Sequence, residues 1–165
     1  MSIESKLHID DQKVKVLQFS FDYQQGADYN GRPSTKPVFK GLWLTIETQK
    51  NLKLEEWAIA VNQKKQLELH LSPTILGGKT RILYFFDAHL VKWDVNFTSI
   101  GSNPMTETLY ITCAGVKDSE STVEYEAYWR ETYFDNIPVT TINNEEQEAQ
   151  EEEETGYQTA IALSL

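Results

Sequence analysis

The stretch ILYFFDAHLVKWDVNF at residues 82–97 carries an alternating pattern that changes phase halfway along. Apolar side chains first occupy even positions and then odd positions: Ile82, Tyr84, Phe86, Ala88 and Leu90, followed by Val91, Trp93, Val95 and Phe97. Successive side chains of a strand point to opposite faces, so a change of phase requires a bulge or a bend. Long strands that bend and re-aim their apolar face are typical of barrels and crossed sandwiches. The stretch therefore predicts a curled β-sheet.

Alternation with a period of two recurs on both sides of this stretch, which predicts further strands. A second change of phase separates Val14 and Val16 from the odd set that begins at Leu17. Regular alternation also fills residues 42–47, 67–71, 109–113 and 125–129. Turn-forming residues lie between the segments, at Asp10-Asp11, Asn30-Gly31, Gly77-Gly78 and Gly101-Ser102-Asn103-Pro104. The sequence predicts an all-β, mainly β fold.

One segment, residues 52–61, has helical rather than strand periodicity. Leu54, Trp57, Ala58 and Val61 are spaced as one face of a helix, and Asn51 is a candidate N-cap. A single short helix beside a sheet can cover a barrel end or exposed strand edges. We therefore expect one flanking α-helix.

The charge of the chain is concentrated near its end. The 165 residues carry a formal net charge of −10, and seven glutamates fall within residues 143–165, which contain no Lys or Arg. Residues 1–142 keep 18 acidic and 15 basic side chains, a net of −3. We predict a folded domain over 1–142 and an acidic, flexible tail over 143–165. The acidic balance argues against nucleic-acid and anionic-membrane partners.

No membrane insertion or signal peptide is expected, because the chain lacks an apolar run of about 20 residues and begins with polar and charged residues. The single cysteine, Cys113, excludes an internal disulfide and a Cys-rich zinc site. It lies on an apolar strand face, which favours a packed thiol over a catalytic thiolate.

Candidate chemistry is sparse. His8, His70 and His89 are far apart in sequence and share no metal-ligand spacing, so we interpret them as structural. Gly78-Lys79-Thr80 resembles the end of a phosphate-binding loop, but Pro73 replaces the required first glycine and a strand pattern follows. The sequence therefore predicts no catalytic, cofactor-binding or metal-ligating residues.

Several stretches together resemble the Hcp family, the tube protein of type VI secretion systems, in its divergent branch. The motifs, in order, are Phe19-Ser20-Phe21-Asp22-Tyr23-Gln24-Gln25, Asn30-Gly31-Arg32-Pro33-Ser34, Leu44-Thr45-Ile46-Glu47, Leu54-Glu55-Glu56-Trp57, Phe86-Asp87-Ala88-His89 and Gly101-Ser102-Asn103-Pro104-Met105-Thr106. Their order and spacing carry the resemblance over residues 3–117. Residues 118–165 find no counterpart in it.

The resemblance implies a β-barrel of two curled antiparallel sheets with one short flanking α-helix. It also implies hexameric rings that stack into a tube, with sheath, spike and effector proteins as partners. Assembly would take place in the cytoplasm, followed by secretion without a signal peptide. Whether this chain is the main tube subunit or a specialised paralogue that carries or chaperones effectors stays open.

The loop at residues 26–37 is the candidate contact site between rings. It is long for a hairpin connection, and long ordered loops are usually functional. We assign ring stacking to Asp28, Tyr29, Asn30, Gly31, Arg32 and Pro33. A mobile surface loop is the alternative.

Two other function classes fit the pattern. A lipocalin-like barrel that binds a small molecule would need an apolar interior cavity of several hundred Å3, on the scale of known ligand pockets. A hydrolase would need a cleft that brings a histidine or paired carboxylates together. For the tail, the options are a solubility segment, an electrostatic brake on assembly, or a strand donor through Ile161–Leu165.

Overall fold

The computed structural model describes residues 4–73 and 78–133, of which those up to Thr132 belong to one compact unit. Eight strands and one helix follow each other along the chain: β1 (Ser5–Ile9), β2 (Gln12–Gln24), β3 (Val38–Glu47), α1 (Leu54–Ile59), β4 (Lys65–Leu71), β5 (Arg81–Phe97), β6 (Met105–Thr112), β7 (Gly115–Asp118) and β8 (Glu124–Glu126). The predicted acidic tail and its boundary at residues 142/143 lie outside the described residues and stay a prediction.

The strands form a closed barrel. Their order is β4-β1-β2-β3-β6-β5-β7-β8, and β4 also pairs with β5, so six strands close on themselves. All of the pairings are antiparallel. The mainly β barrel with one flanking helix is confirmed. The two curled sheets of the prediction are one continuous sheet, and its pairing runs around all six barrel strands, which satisfies the backbone groups that sheet edges would leave open.

Both predicted changes of phase are confirmed as bulges. The register of β2 on β3 shifts between Val16 and Gln18, and the register of β5 on β6 shifts between Leu90 and Lys92. Leu17 and Val91 are the extra residues. Each bulge lets the strand continue while its apolar side chains turn back toward the barrel interior.

In the first half of β5, the predicted inward face is wrong. Leu83 and Phe85 belong to the core, whereas Ile82 and Tyr84 are half-buried and Phe86 is buried outside the core cluster. Both faces of the first half of β5 carry apolar side chains, so alternation cannot show which face points into the barrel. The inner face passes from odd to even positions at Asp87, whose φ of 51° bends the strand.

The bend at Asp87 is held by side-chain hydrogen bonds in place of regular strand pairing. The partner strand β4 also carries a register shift here, between Lys65 and Leu67. The extra residue lies on β5, where Phe86 and Asp87 both face Gln66. Gln66 accepts a bond from the Asp87 backbone N–H (3.0 Å), and its side-chain amide lies within 3.3 Å of the Asp87 carboxylate. Aspartate tolerates the left-handed conformation better than most residues, which suits it to this position.

Apolar side chains fill the barrel interior. Leu7, Leu42, Leu69, Leu109 and Ile111 are completely buried and belong to one cluster. Protein interiors built from such buried side chains have few voids larger than a water molecule. The filled interior argues against the lipocalin-like alternative, which needs its cavity along the barrel axis.

The helix is shorter than predicted and begins without a side-chain cap. It spans Leu54–Ile59 rather than 52–61, and Lys53, with a φ of 48°, occupies the N-cap position expected for Asn51. Val61 lies beyond the helix and is exposed. Trp57 anchors the helix: its ring is buried, and its indole N–H donates to the carbonyl of Gln63 (3.0 Å). No helix among the described residues has the length and apolar character needed to cross a bilayer.

A strand follows Gly78-Lys79-Thr80, as predicted, because β5 begins at Arg81 and pairs with β4 as a hairpin from Leu71. The expected Gly77-Gly78 turn lies partly outside the described residues.

Candidate assembly surface

The loop between β2 and β3 is a small hairpin shaped by one aspartate. Oδ1 of Asp28 accepts hydrogen bonds from the backbone N–H groups of Asn30 and Arg32, both at 2.9 Å. The backbone of Asp28 also bonds to Arg32 and Gly31, at 2.9 and 3.0 Å. Gly31 has a φ of 81°, a conformation that glycine adopts without strain. The six predicted residues, from Asp28 to Pro33, therefore lie together in one turn.

The base of this loop is also held by hydrogen bonds. Ala27 and Pro33 form a β-bridge, and the N–H of Ser34 donates to the carbonyl of Gly26 (2.8 Å). The N–H of Gly26 donates to the hydroxyl of Thr35 (2.7 Å). The loop has a defined shape, which counts against the alternative of a mobile surface segment. Its role in ring contact stays a prediction.

The loop is fully exposed. Every residue from 22 to 38 is exposed, and the side chain of Tyr29 is 96% accessible. Its shape comes from hydrogen bonds within the loop, made by its backbone and by the side chains of Asp28 and Thr35. The turn offers three kinds of side-chain group to a binding partner: the aromatic ring of Tyr29, the amide of Asn30 and the guanidinium of Arg32.

A second exposed surface lies at the opposite end of the strands. The register pairs Gln24 with Val38 next to the loop 26–37, whereas Glu47 pairs with Thr106 next to the turn 98–104. Around that turn, Phe97 is 74% and Ile100 is 83% exposed. Large exposed apolar side chains gathered at one place often mark interaction sites.

An aromatic groove brings together side chains of β2, β3 and β8. Phe21, Tyr23, Phe39 and Tyr125 contact one another with ring centroids 5.3–6.5 Å apart. The groove that Phe21, Tyr23 and Tyr125 line has a volume of about 620 Å3. Burial raises the pKa of Tyr23 to about 12, so its hydroxyl stays protonated. Sequence alternation placed these rings on strand faces but could not show that they meet.

The segment after β8 packs against the bend of β5. The carboxylate of Asp87 accepts bonds from the backbone N–H groups of Glu131 (2.7 Å) and Thr132 (2.9 Å) and from the Thr132 hydroxyl (2.7 Å). The guanidinium carbon of Arg130 lies 4.6 Å from the ring centroid of Phe86. Burial alone would raise the pKa of Asp87, but these hydrogen bonds to its charged form outweigh it and lower the pKa.

Two of the three histidines lie together in the fold. His8 and His70 stack with ring centroids 3.8 Å apart, although they are far apart in sequence. Cross-strand pairing of β1 and β4 brings them together, and sequence spacing carries no signal of that pairing. His89 lies elsewhere, 5.5 Å from the ring of Trp129. Cys113 is a buried core residue and burial raises its pKa, which confirms a packed thiol rather than a thiolate.

The family model described as hemolysin coregulated protein Hcp (TssD) matches residues 1–130. The chain therefore belongs to the Hcp family of type VI secretion tube proteins. The match extends beyond the range 3–117 in which sequence motifs were found, because it includes β7, β8 and most of the segment that Asp87 anchors. A search of curated proteins finds no significant match.

Solved structures of the family share the fold. Hcp1 from Flavobacterium johnsoniae is 26% identical, with a TM-score of 0.67, over 75% of this chain and 99% of that one. Hcp1 from Salmonella typhimurium is 15% identical, with a TM-score of 0.59, over 72% and 86% of the two chains. The secreted protein Hcp3 from Pseudomonas aeruginosa is 12% identical, with a TM-score of 0.53, over 79% and 100%.

Proposed function

We propose that this chain forms hexameric rings that stack into the inner tube of a type VI secretion system and that the tube carries effectors. The observation that carries the proposal is the family match over residues 1–130, which includes the whole closed barrel. The role is structural and needs no catalytic group. Sheath, spike and effector proteins are the partners, and the assembled tube leaves the cell.

Stacking of rings requires that one end of the barrel fits the opposite end of the next. The ordered loop 26–37 projects from one end, and the turn 98–104, with Phe97 and Ile100, lies at the other. Two different surfaces meeting head to tail form a heterologous contact, which repeats without limit along an axis. We assign axial contact to these two surfaces.

Lateral contact within a ring is heterologous as well, since each subunit of a cyclic ring offers one surface to its left and another to its right. The last strand of the order, β8, has β7 as its one partner strand among the described residues. Because β8 ends the strand order, we assign it to the lateral contact with a neighbouring subunit, through strand-to-strand pairing. The aromatic groove lies beside this strand and adds an apolar surface to the contact.

The oligomeric state tests the proposal directly. Native mass spectrometry of the purified chain should give a hexamer, and negative-stain microscopy should show rings with an open centre. Tubes should appear at high protein concentration. A chain that stays monomeric at every concentration and salt level contradicts the proposal.

A matched pair of variants tests the axial assignment. Phe97 and Ile59 are 74% and 73% exposed, but Phe97 lies next to the turn 98–104 and Ile59 ends the helix. Phe97→Asp places a charge in the axial contact, so rings should persist and tubes should be lost. Ile59→Asp should leave both unchanged. Equal tube formation by the two variants would show that Phe97 lies outside the contact.

A further inference from the structure

A cluster of two histidines and a glutamate lies on the outer face of the barrel. In the pairing of β1 with β4, His8 is opposite Glu68, and Lys6 is opposite His70. The alternate residues Leu7, Ile9, Leu67 and Leu69 are buried in the core. His8, Glu68 and His70 therefore point outward, side by side on two adjacent strands.

The three side chains are already close enough to share a ligand. One donor atom of each residue lies within 4.8 Å of the other two. The His8 and His70 rings are nearly parallel, at 6°, and Nε2 of His70 lies 2.8 Å from the Glu68 carboxylate. All three side chains are half-buried.

Two further groups lie opposite members of the cluster on the neighbouring strands. Lys6 on β1 is opposite His70, and Tyr84 on β5 is opposite Glu68. A metal ion binds the neutral form of an imidazole through the lone pair on its ring nitrogen, so metal and protons compete for the two histidines.

We propose that His8, Glu68 and His70 form a binding site for a divalent transition-metal ion of the Zn²⁺ class. Two imidazoles and one carboxylate are a ligand set that Zn²⁺ accepts, and they leave a fourth position for water or for a group from another molecule. Ca²⁺ and Mg²⁺ prefer sites made of oxygen ligands, so they fit this cluster poorly.

The geometry needs only a small adjustment to bind. Zn²⁺–N and Zn²⁺–O bonds of about 2.1 Å place tetrahedral ligand atoms about 3.4 Å apart. The three ligand atoms now lie within 4.8 Å of one another. Side-chain rotation can shorten these distances to about 3.4 Å without movement of the backbone. Both strands are paired on two sides within the closed barrel, which keeps the three Cα positions fixed.

Zinc titration of the full chain, without an affinity tag, tests the site. We expect one Zn²⁺ per chain by isothermal titration calorimetry or by competition with a fluorescent chelator. His8→Ala and His70→Ala should each weaken binding by at least on the order of 10- to 100-fold, the loss seen when only an outer-shell partner of a ligand is removed. His89→Ala is the matched control and should bind as the unchanged chain does. Absence of binding, or equal weakening by His89→Ala, overturns the proposal.

A second measurement does not depend on variants. In NMR spectra of the unchanged chain, added Zn²⁺ should shift the ring signals of His8 and His70 and leave those of His89 in place. Lowering the pH should reverse the shifts, because protons compete for the same nitrogens. Shifts confined to other residues contradict the site. The readout is independent of ring formation, so it does not depend on the proposed tube function.

Discussion

Asp87 and Asp28 use the same chemistry in opposite surroundings. Each carboxylate accepts hydrogen bonds from two backbone N–H groups that are close in sequence, Glu131 and Thr132 for Asp87 and Asn30 and Arg32 for Asp28. Asp87 is buried at the bend of β5 and joins the barrel to the segment that ends at Thr132, whereas Asp28 is exposed and bonds only within its own loop. Burial decides what each aspartate contributes: the first stabilises the fold, and the second shapes a surface.

The largest effect is expected from Asp87→Ala. The substitution removes the buried acceptor of the N–H groups of Glu131 and Thr132, which lie at a partly buried site, and such a loss costs about 1–3 kcal/mol. Urea unfolding followed by circular dichroism measures the change. Asp28→Ala is the exposed counterpart and should change the free energy of unfolding by less than about 0.5 kcal/mol. Similar losses in both variants would show that burial does not separate the two sites.

At low pH, the unchanged chain and the Asp87→Asn variant should have the same free energy of unfolding. The pKa of Asp87 is lowered in the folded state, so its contribution to stability is present above the unfolded pKa of about 3.9 and is lost as the pH falls through the folded value. Urea unfolding between pH 7 and pH 2 should show the two stability curves converging below about pH 4. A gap that stays constant down to pH 2 contradicts a charged Asp87.

Substitutions in the exposed loop that contains Asp28 should change assembly rather than stability. Replacing Asn30, Arg32 and Pro33 together by alanine removes contact groups from that exposed loop. Thermal unfolding should be nearly unchanged, rings should form, and tubes should be shorter or absent by negative-stain microscopy. Glu55→Ala with Glu56→Ala, on the exposed helix face, is the control. Normal tubes from the loop variant would refute its assignment.

The smallest effect is expected from truncation to residues 1–142, which keeps the Asp87 anchor. The change makes the net charge less negative, from −10 to −3. If the acidic segment acts as a brake, light scattering should show faster assembly, most clearly at low salt, because repulsion between exposed charges is screened within about 10 Å at 0.1 M. Unchanged assembly kinetics leave the segment a solubility role.

The sequence predicted those parts of the fold that alternate on one apolar face. The bulges after Val16 and Leu90 were found because each shifts a clean apolar pattern by one position. The first half of β5 misled the prediction because both of its faces are covered, the outer one by the chain around Arg130. The alternation of apolar residues indicates that a side chain is buried, but it does not show which part of the chain buries it.

The candidate sites divide in the same way. The turn from Asp28 to Pro33 is local, and its Asn-Gly pair marked it in the sequence. The meeting of His8 with His70 depends on the register of β1 against β4, two strands separated by most of the first half of the chain. The spacing of residues along the sequence does not predict how β1 aligns with β4. The histidine cluster is therefore visible only in the folded barrel.

Closure of the barrel also has a consequence for the order of events during folding. The pairing of β1 with β4 joins Ile9 to Leu67, and the pairing of β3 with β6 joins Leu42 to Ile111. Contacts so distant in sequence carry a large loop-closure entropy and make folding slow compared with helical proteins of similar size. Before closure, the edges of β1 and β4 are open to wrong partners. A newly made chain therefore needs to close its barrel before it contacts other chains. Refolding at low protein concentration, with concentration afterwards, should give more correctly folded subunits than refolding at high concentration.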